Sequence, residues 1–311
     1  MKKLFVVVFV FFFSFLGFAE EGFSLAVEPR ISYNNNTITY KIYDPSGPIN
    51  SQLDWESQYL IKAGVGASGV FNKVTLDGLL LFDIPSKTGV MFDSDWYTIG
   101  LKTNLSKSEL FAGFGCDFKL EFKYDFSLTA DFFVSPVVSL QNYYSTFNAK
   151  NTIGWCGDTA HTQLDQDYAW DSEYSKKVKK YGIDYYYENV IFLSGLQLQK
   201  RWGDFSLKIK ALVSLYDYVL SVDHHLNKKE GTYYQLIQKS ILNVQEYSVS
   251  GAWSINEKHS FNLSFSYSFC PERPADFYFG YYKTDNIIAD ETAGLEFSRM
   301  SVNAGWQIKI K

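Results

Sequence analysis

The sequence predicts an all-β fold: a ten-stranded antiparallel transmembrane β-barrel extending above the outer membrane. Three observations predict it. They are an export signal, an aromatic-rich but only mildly hydrophobic composition, and a period-two alternation that recurs along the chain.

The export signal is MKKLFVVVFVFFFSFLGFAEEG. Lys2 and Lys3 form a basic start, and residues 4–16 form an apolar run too short for a spanning helix. Gly17 and Ala19 offer small side chains at the two positions a signal peptidase reads, so residues 1–19 are expected to be removed before Glu20. Residues 20–311 are expected to form one barrel domain.

Beyond the signal, no apolar run approaches the roughly 18 residues a spanning helix needs. Yet 18% of the residues are aromatic, with 23 Tyr and 27 Phe, and the mean hydropathy is −0.14. A barrel reconciles these values, because polar lumen positions dilute the apolar outer ones. The net charge of −5 gives no sign of nucleic-acid binding. Cys116, Cys156 and Cys270 cannot all pair, show no metal-ligand spacing and form no disulfide framework. Cys116 reads as a small apolar residue on a strand face.

Alternation is strongest over residues 110–126, where Leu110, Ala112, Phe114, Cys116, Phe118, Leu120, Phe122, Tyr124 and Phe126 alternate with a mostly polar or small set. In a strand this gives one lipid-like and one watery face. At about 3.3 Å per residue the segment would be about 55 Å long, more than a tilted crossing needs, so it would project beyond the bilayer. The pattern returns from Tyr59, from Val74, from Phe205, from Phe261 and from Met300. Short turns at Gly203-Asp204 and Asn256-Glu257 contrast with long polar segments at 151–182 and 224–232, the habit of a barrel with about ten strands. Lys, Glu, Asp and Ser at the inner positions argue against a soluble β-sandwich. About ten strands leave a narrow, side-chain-filled lumen, which disfavours a general porin.

The chemistry-bearing residues come in two pairs. Asp93 and Asp95 stand at i and i+2 in FDSDW, and an extended chain puts both on one face. Two close carboxylates resist double ionisation, so one can hold a proton near neutrality, and the pair can hold a water and accept its proton. Asp223 and His225 have the same spacing in SVDHH, where a carboxylate beside an imidazole makes a competent general base. His161 and His259 lie in polar, loop-like contexts and read as solvated surface. Asp93–Asp95 ends the third strand and Asp223–His225 follows the seventh, which ends near Leu220, so the pairs are expected on opposite walls of the extracellular rim. Parity counted from Phe82 and Ile84 turns Asp93 and Asp95 inward. Parity counted from Phe205 and Leu207 turns Asp223 and His225 outward, so they reach a cleft only if a bulge intervenes. Two acid/base pairs across a groove suit the activation of a water for hydrolysis. A divalent cation held by the same four residues is a weaker alternative, and neither metal nor cofactor is expected.

INSQLDW (residues 49–55), FDSDW (92–96) and SVDHH (221–225) together resemble the omptins, outer-membrane aspartyl endopeptidases with ten-stranded barrels. The resemblance implies that Asp93 and His225 hold the attacking water, with His225 as general base and Asp223 orienting it. Asp95 would partner Asp93 and help position the water or stabilise the developing oxyanion. No acyl-enzyme is implied. Polypeptide substrates, outer-membrane lipid as surroundings, a monomeric state and a site on the extracellular side follow from the same resemblance. Two features depart from the family. Its acidic pocket floor, which selects basic residues, matches Tyr40 and Ser221 here, so a preference other than dibasic is expected. Its lipopolysaccharide requirement rests partly on a Tyr-x-Glu-x-Arg pattern, which SLQNYYSTFNAK (139–150) lacks. The alternative is a catalytically retired barrel acting as an adhesin or structural outer-membrane protein, favoured by the aromatic segments YAWDSEY and YGIDYYYE.

Overall fold

The computed structural model describes residues 23–225, 232–281, 287–288 and 292–310. The expected signal peptide, residues 1–19, lies outside them. Ten barrel strands follow in chain order: β1 Phe23–Tyr43, β2 Ile49–Phe71, β3 in two parts (Val74–Asp83 and Lys87–Asp95), β4 Asn104–Tyr124 and β5 Phe132–Cys156. Then come β6 Ile183–Trp202, β7 Phe205–His225, β8 in two parts (Thr232–Ser240 and Gln245–Ser254), β9 His259–Tyr281 and β10 Thr292–Lys309. Each strand pairs antiparallel with the next, and β1 pairs with β10, which closes the ring. The ten-stranded antiparallel barrel expected from the alternation is the observed fold.

The strands are long. β5 has 25 residues, more than twice the roughly 10 that a tilted membrane crossing needs. The two ends of the barrel accordingly solve different packing problems. Near the short turns the outer surface is apolar, with Ile31, Val65, Leu196, Ile209, Leu263 and Trp306 exposed to the surroundings. The interior there is ionic: Lys62 contacts Asp83 (2.9 Å) and Asp117 (2.7 Å), Lys123 contacts Asp77 (2.6 Å), and Lys119 contacts Glu246 (3.0 Å). A polar-lined cavity of about 610 Å³ opens among these groups. This is the membrane half, lipid outside and paired charge inside. Toward the long connections the pattern inverts. Tyr40, Trp55, Met91, Leu110, Phe147, Tyr185 and Leu295 fill the interior and are buried, so this rim half is built like a water-soluble barrel.

Bulges mediate much of the inversion. In β4 the register shifts between Ala112 and Gly115; Leu110 and Ala112 face in and are buried, whereas Phe114 faces out and is exposed. The single apolar face expected over residues 110–126 is therefore two faces. An inserted residue reverses the period-two parity, so one alternating sequence serves the rim core first and the lipid surface afterwards. Gly115 sits at this bulge because a Cβ there would meet the Asp83 carboxylate at 1.8 Å. Cys116 lies half-buried on the outer side beside Phe82, on a strand face as expected.

Candidate functional site

Asp93 and Asp95 end β3 and pair with Leu53 and Ser51 of β2. Directly paired residues share a face, and Leu53 is buried in the interior, so both aspartates point inward as their parity requires. Ser51 Oγ donates to Asp95 Oδ1 at 3.0 Å.

The second pair arrives by a bulge. β7 continues to His225, past the expected end near Leu220, so Asp223 and His225 belong to the strand itself. The register with β6 shifts between Ser214 and Tyr216, leaving Leu215 as the extra, exposed residue. Ser214 and Asp217, three apart, both face in, and parity then carries Val219, Ser221, Asp223 and His225 inward. The outward assignment counted from Phe205 and Leu207 holds only below Leu215.

Two contacts across the barrel form a floor beneath these residues. The Tyr40 hydroxyl of β1 donates to Asp223 Oδ2 of β7. Trp55 of β2 stacks on Tyr185 of β6, with centroids 4.0 Å apart and planes 11° apart, and the Tyr185 hydroxyl bonds Ser221 Oγ at 2.9 Å. Tyr40 pairs with Leu53, and Leu53 with Asp93, so the Tyr40–Asp223 contact links the walls that carry Asp93 and Asp223. The positions matched to an acidic floor thus carry neutral, hydrogen-bonded groups sealed by aromatic rings. Tyr40→Phe is expected to destabilise the fold by about 1–3 kcal/mol, because the buried Asp223 carboxylate loses its phenolic donor. A denaturant midpoint compared with wild type checks this.

His225 Nε2 lies 3.7 Å from Asp223 Oδ2, within ion-pair range but beyond a hydrogen bond. Its ring packs edge-on against Tyr234, with centroids 4.9 Å apart. Packing against Tyr234 helps to orient the imidazole here.

This site lies above the apolar belt, so its carboxyls titrate outside the membrane segments. Burial pushes the Asp93 carboxyl up, against the opposing pull of Lys180 and His225. Burial first, then the charge of Asp93, push Asp95 up to about 7, opposed by Lys180, Ser51 and His225.

Lys180 was not legible as a site residue, since it ends the solvated-looking run KKVKK (176–180). Its stem crosses Gly154 of β5, where a Cβ would lie 2.9 Å from Lys180 Cε. Gly154 pairs with Ser106, and Ser106 pairs with Asp93, so the missing side chain opens a route for the lysine toward the acid pair. His161, expected as solvated surface, keeps a half-exposed ring but bonds Asp158 through Nδ1 at 2.8 Å.

No protein-family model matches the chain, and no curated protein matches it. Among solved structures it is similar to the outer membrane protease OmpT from Escherichia coli, with a TM-score of 0.78 and 14% identity, over 92% of this chain and 97% of that one. It also matches the translocator domain of the autotransporter NalP from Neisseria meningitidis (TM-score 0.40, 9% identity, 94% and 90% covered). A third match is the toluene transporter TodX from Pseudomonas putida (0.29, 8%, 94% and 91%). The last two scores are too low to bear on topology. At 14% identity the first establishes the fold alone: the chain has the architecture of an outer-membrane β-barrel protein and is omptin-like in its fold.

Proposed function

We propose that this barrel is an outer-membrane surface endopeptidase that hydrolyses peptide bonds with a water activated between Asp93–Asp95 and Asp223–His225, its cleft facing the extracellular side. The observation that carries the reading is the Leu215 bulge, which turns Asp223 and His225 to the interior face that Asp93 and Asp95 also occupy. In the proposed cycle, the water held between Asp93 and His225 gives its proton to His225 as its oxygen attacks the scissile carbonyl. The carbonyl π electrons move to oxygen, and the intermediate collapses by expelling the amine, which takes the proton back from His225. Asp223 stabilises the imidazolium formed in between. Asp95, carrying the shared proton of the acid pair, donates a hydrogen bond to the developing oxyanion. The neutral floor at Tyr40 and Ser221 offers no carboxylate to a basic side chain, which supports a preference other than dibasic.

The test is cleavage of a peptide library by refolded protein, with Asp93→Ala and His225→Ala as controls. Absence of cleavage, or cleavage unchanged in those variants, overturns the reading. Asp95 must keep its proton to serve the oxyanion, so the alkaline limb of the rate profile lies near pH 7. Removing a nearby cation removes stabilisation of the charged carboxylates and raises their proton affinity. Lys180→Met should therefore move that limb upward by about one pH unit, and Lys180→Arg should leave it in place. A limb that stays put in Lys180→Met shows that the lysine does not act on the pair.

The sealed floor favours one competing reading, a retired barrel serving as an adhesin. The aromatic segment on which it leans is largely self-packed, with Trp155 against Trp170 (6.4 Å) and Tyr168 against Tyr174 (4.6 Å). Cell binding that persists in Asp93→Ala and His225→Ala, without cleavage by wild type, would establish it.

A further inference from the structure

One cluster of ligand-type side chains lies outside the proposed cleft, at the start of the connection between β5 and β6. β5 ends on Cys156, the chain passes Gly157, and Asp158 caps the one-turn helix Thr159–Thr162 by accepting the His161 N–H. This turn folds the segment back on itself. One ligand atom each from Cys156, Asp158 and His161 then lie within 4.8 Å of one another. We propose that these three side chains bind a transition-metal ion of the zinc class, with a fourth position left to water.

The donor set fits that class. Thiolate, imidazole and carboxylate are the three side-chain ligand types of zinc, and three protein ligands with an open fourth position is a common arrangement. Metal–ligand lengths of about 2.0–2.3 Å put tetrahedral ligand atoms roughly 3.3–3.8 Å apart, so closure needs a shift of about an ångström. The surroundings already hold the ligands in place. Asn104 Nδ2 donates to Asp158 Oδ2 at 2.7 Å, and its Oδ1 accepts the Gly157 N–H at 3.2 Å, the kind of outer partner that orients a ligating carboxylate.

Helix capping and the Asp158–His161 bond explain two of the three residues without a metal. They leave Cys156, fully buried and free, converging on the same point. Asn104 pairs on one side with Asp95 and on the other with Cys156, so the cluster lies beside the acid wall. The half-exposed His161 leaves an access route. A bound ion would tie the end of β5 to the loop that braces the acid wall, where Gly157 N–H donates to Thr103 O and Thr103 N–H donates to Asp95 O, each at 2.9 Å.

The test uses the full chain, refolded in detergent, reduced and stripped with chelator, then titrated with Co²⁺ and back-titrated with Zn²⁺. Expected are one Co²⁺ per chain, tetrahedral visible bands, a sulfur-to-cobalt charge-transfer band, and loss of all three on adding Zn²⁺. Cys156→Ser and His161→Gln should each weaken binding at least tenfold (about the lower bound for loss of a metal-site partner), with His259→Gln unchanged. Should Cys156→Ser fail to fold, His161→Gln at the surface decides alone. No saturable binding, binding without the sulfur band, or binding that His161→Gln leaves intact overturns the proposal. None of these readouts depends on peptide cleavage, so the proposal stands or falls apart from the proposed activity.

Discussion

Asp93→Ala and His225→Ala are each expected to lower kcat for a cleaved peptide by about 10²–10⁴, the usual contribution of a positioned acid or base, with KM changed far less. Both groups would act on the water, which is not part of the ground-state contact with the peptide. The side chains sit at the rim end of their strands, beyond the ionic interior that supports the membrane half, so the barrel should survive their loss. The double variant should fall little below the worse single one, because groups acting on one water fail as a unit. Steady-state rates with circular dichroism as a folding control check this. Additive losses would mean that the two residues serve different steps.

Lys62→Met is expected to have the largest effect on stability, about 3–5 kcal/mol. Lys62 is fully buried, and its ammonium bridges Asp83 and Asp117, both buried side chains. Methionine keeps the stem packing but leaves two carboxylates facing each other with no cation between them. Adding Asp83→Asn and Asp117→Asn should recover much of the loss, because penalties within one network do not add. Denaturant midpoints in detergent for the single and triple variants provide the measurement. A single-variant loss below about 1 kcal/mol would show that other groups neutralise the pair.

The outer surface of the membrane half was legible because its apolar residues recur at period two, as from Phe205 to Leu215 and from Phe261 to Phe269. The inward placement of Asp93 and Asp95 followed from the same counting. The upper part of β7 did not, because nothing about Leu215 marks it in the sequence: it is another apolar residue at the expected spacing. Its role as a bulge depends on the register of β6, a partner strand that a linear pattern does not contain. The parity conflict at Asp223 did show that some irregularity was needed. Lys180 was hidden for a different reason. Its relevance depends on an absent side chain, Gly154, on a neighbouring strand, and a lysine within KKVKK carries no mark of that neighbour. Cys156 and His161 meet only because Asp158 starts a single helical turn too short to show any period.

The inversion of the barrel interior means that its two halves draw cohesion from different media. In the rim half, water surrounds a greasy centre, so its cohesion comes from water's exclusion of apolar surface and carries the heat-capacity signature of that effect. In the membrane half, lipid supplies no such drive, and hydrogen-bonded strands around paired ions hold the ring. Urea or cold should therefore loosen the mouth while the anchored ring persists, giving amide exchange in two tiers along the same strands. A molecule built this way should be able to loosen its rim while its ring stays in the bilayer.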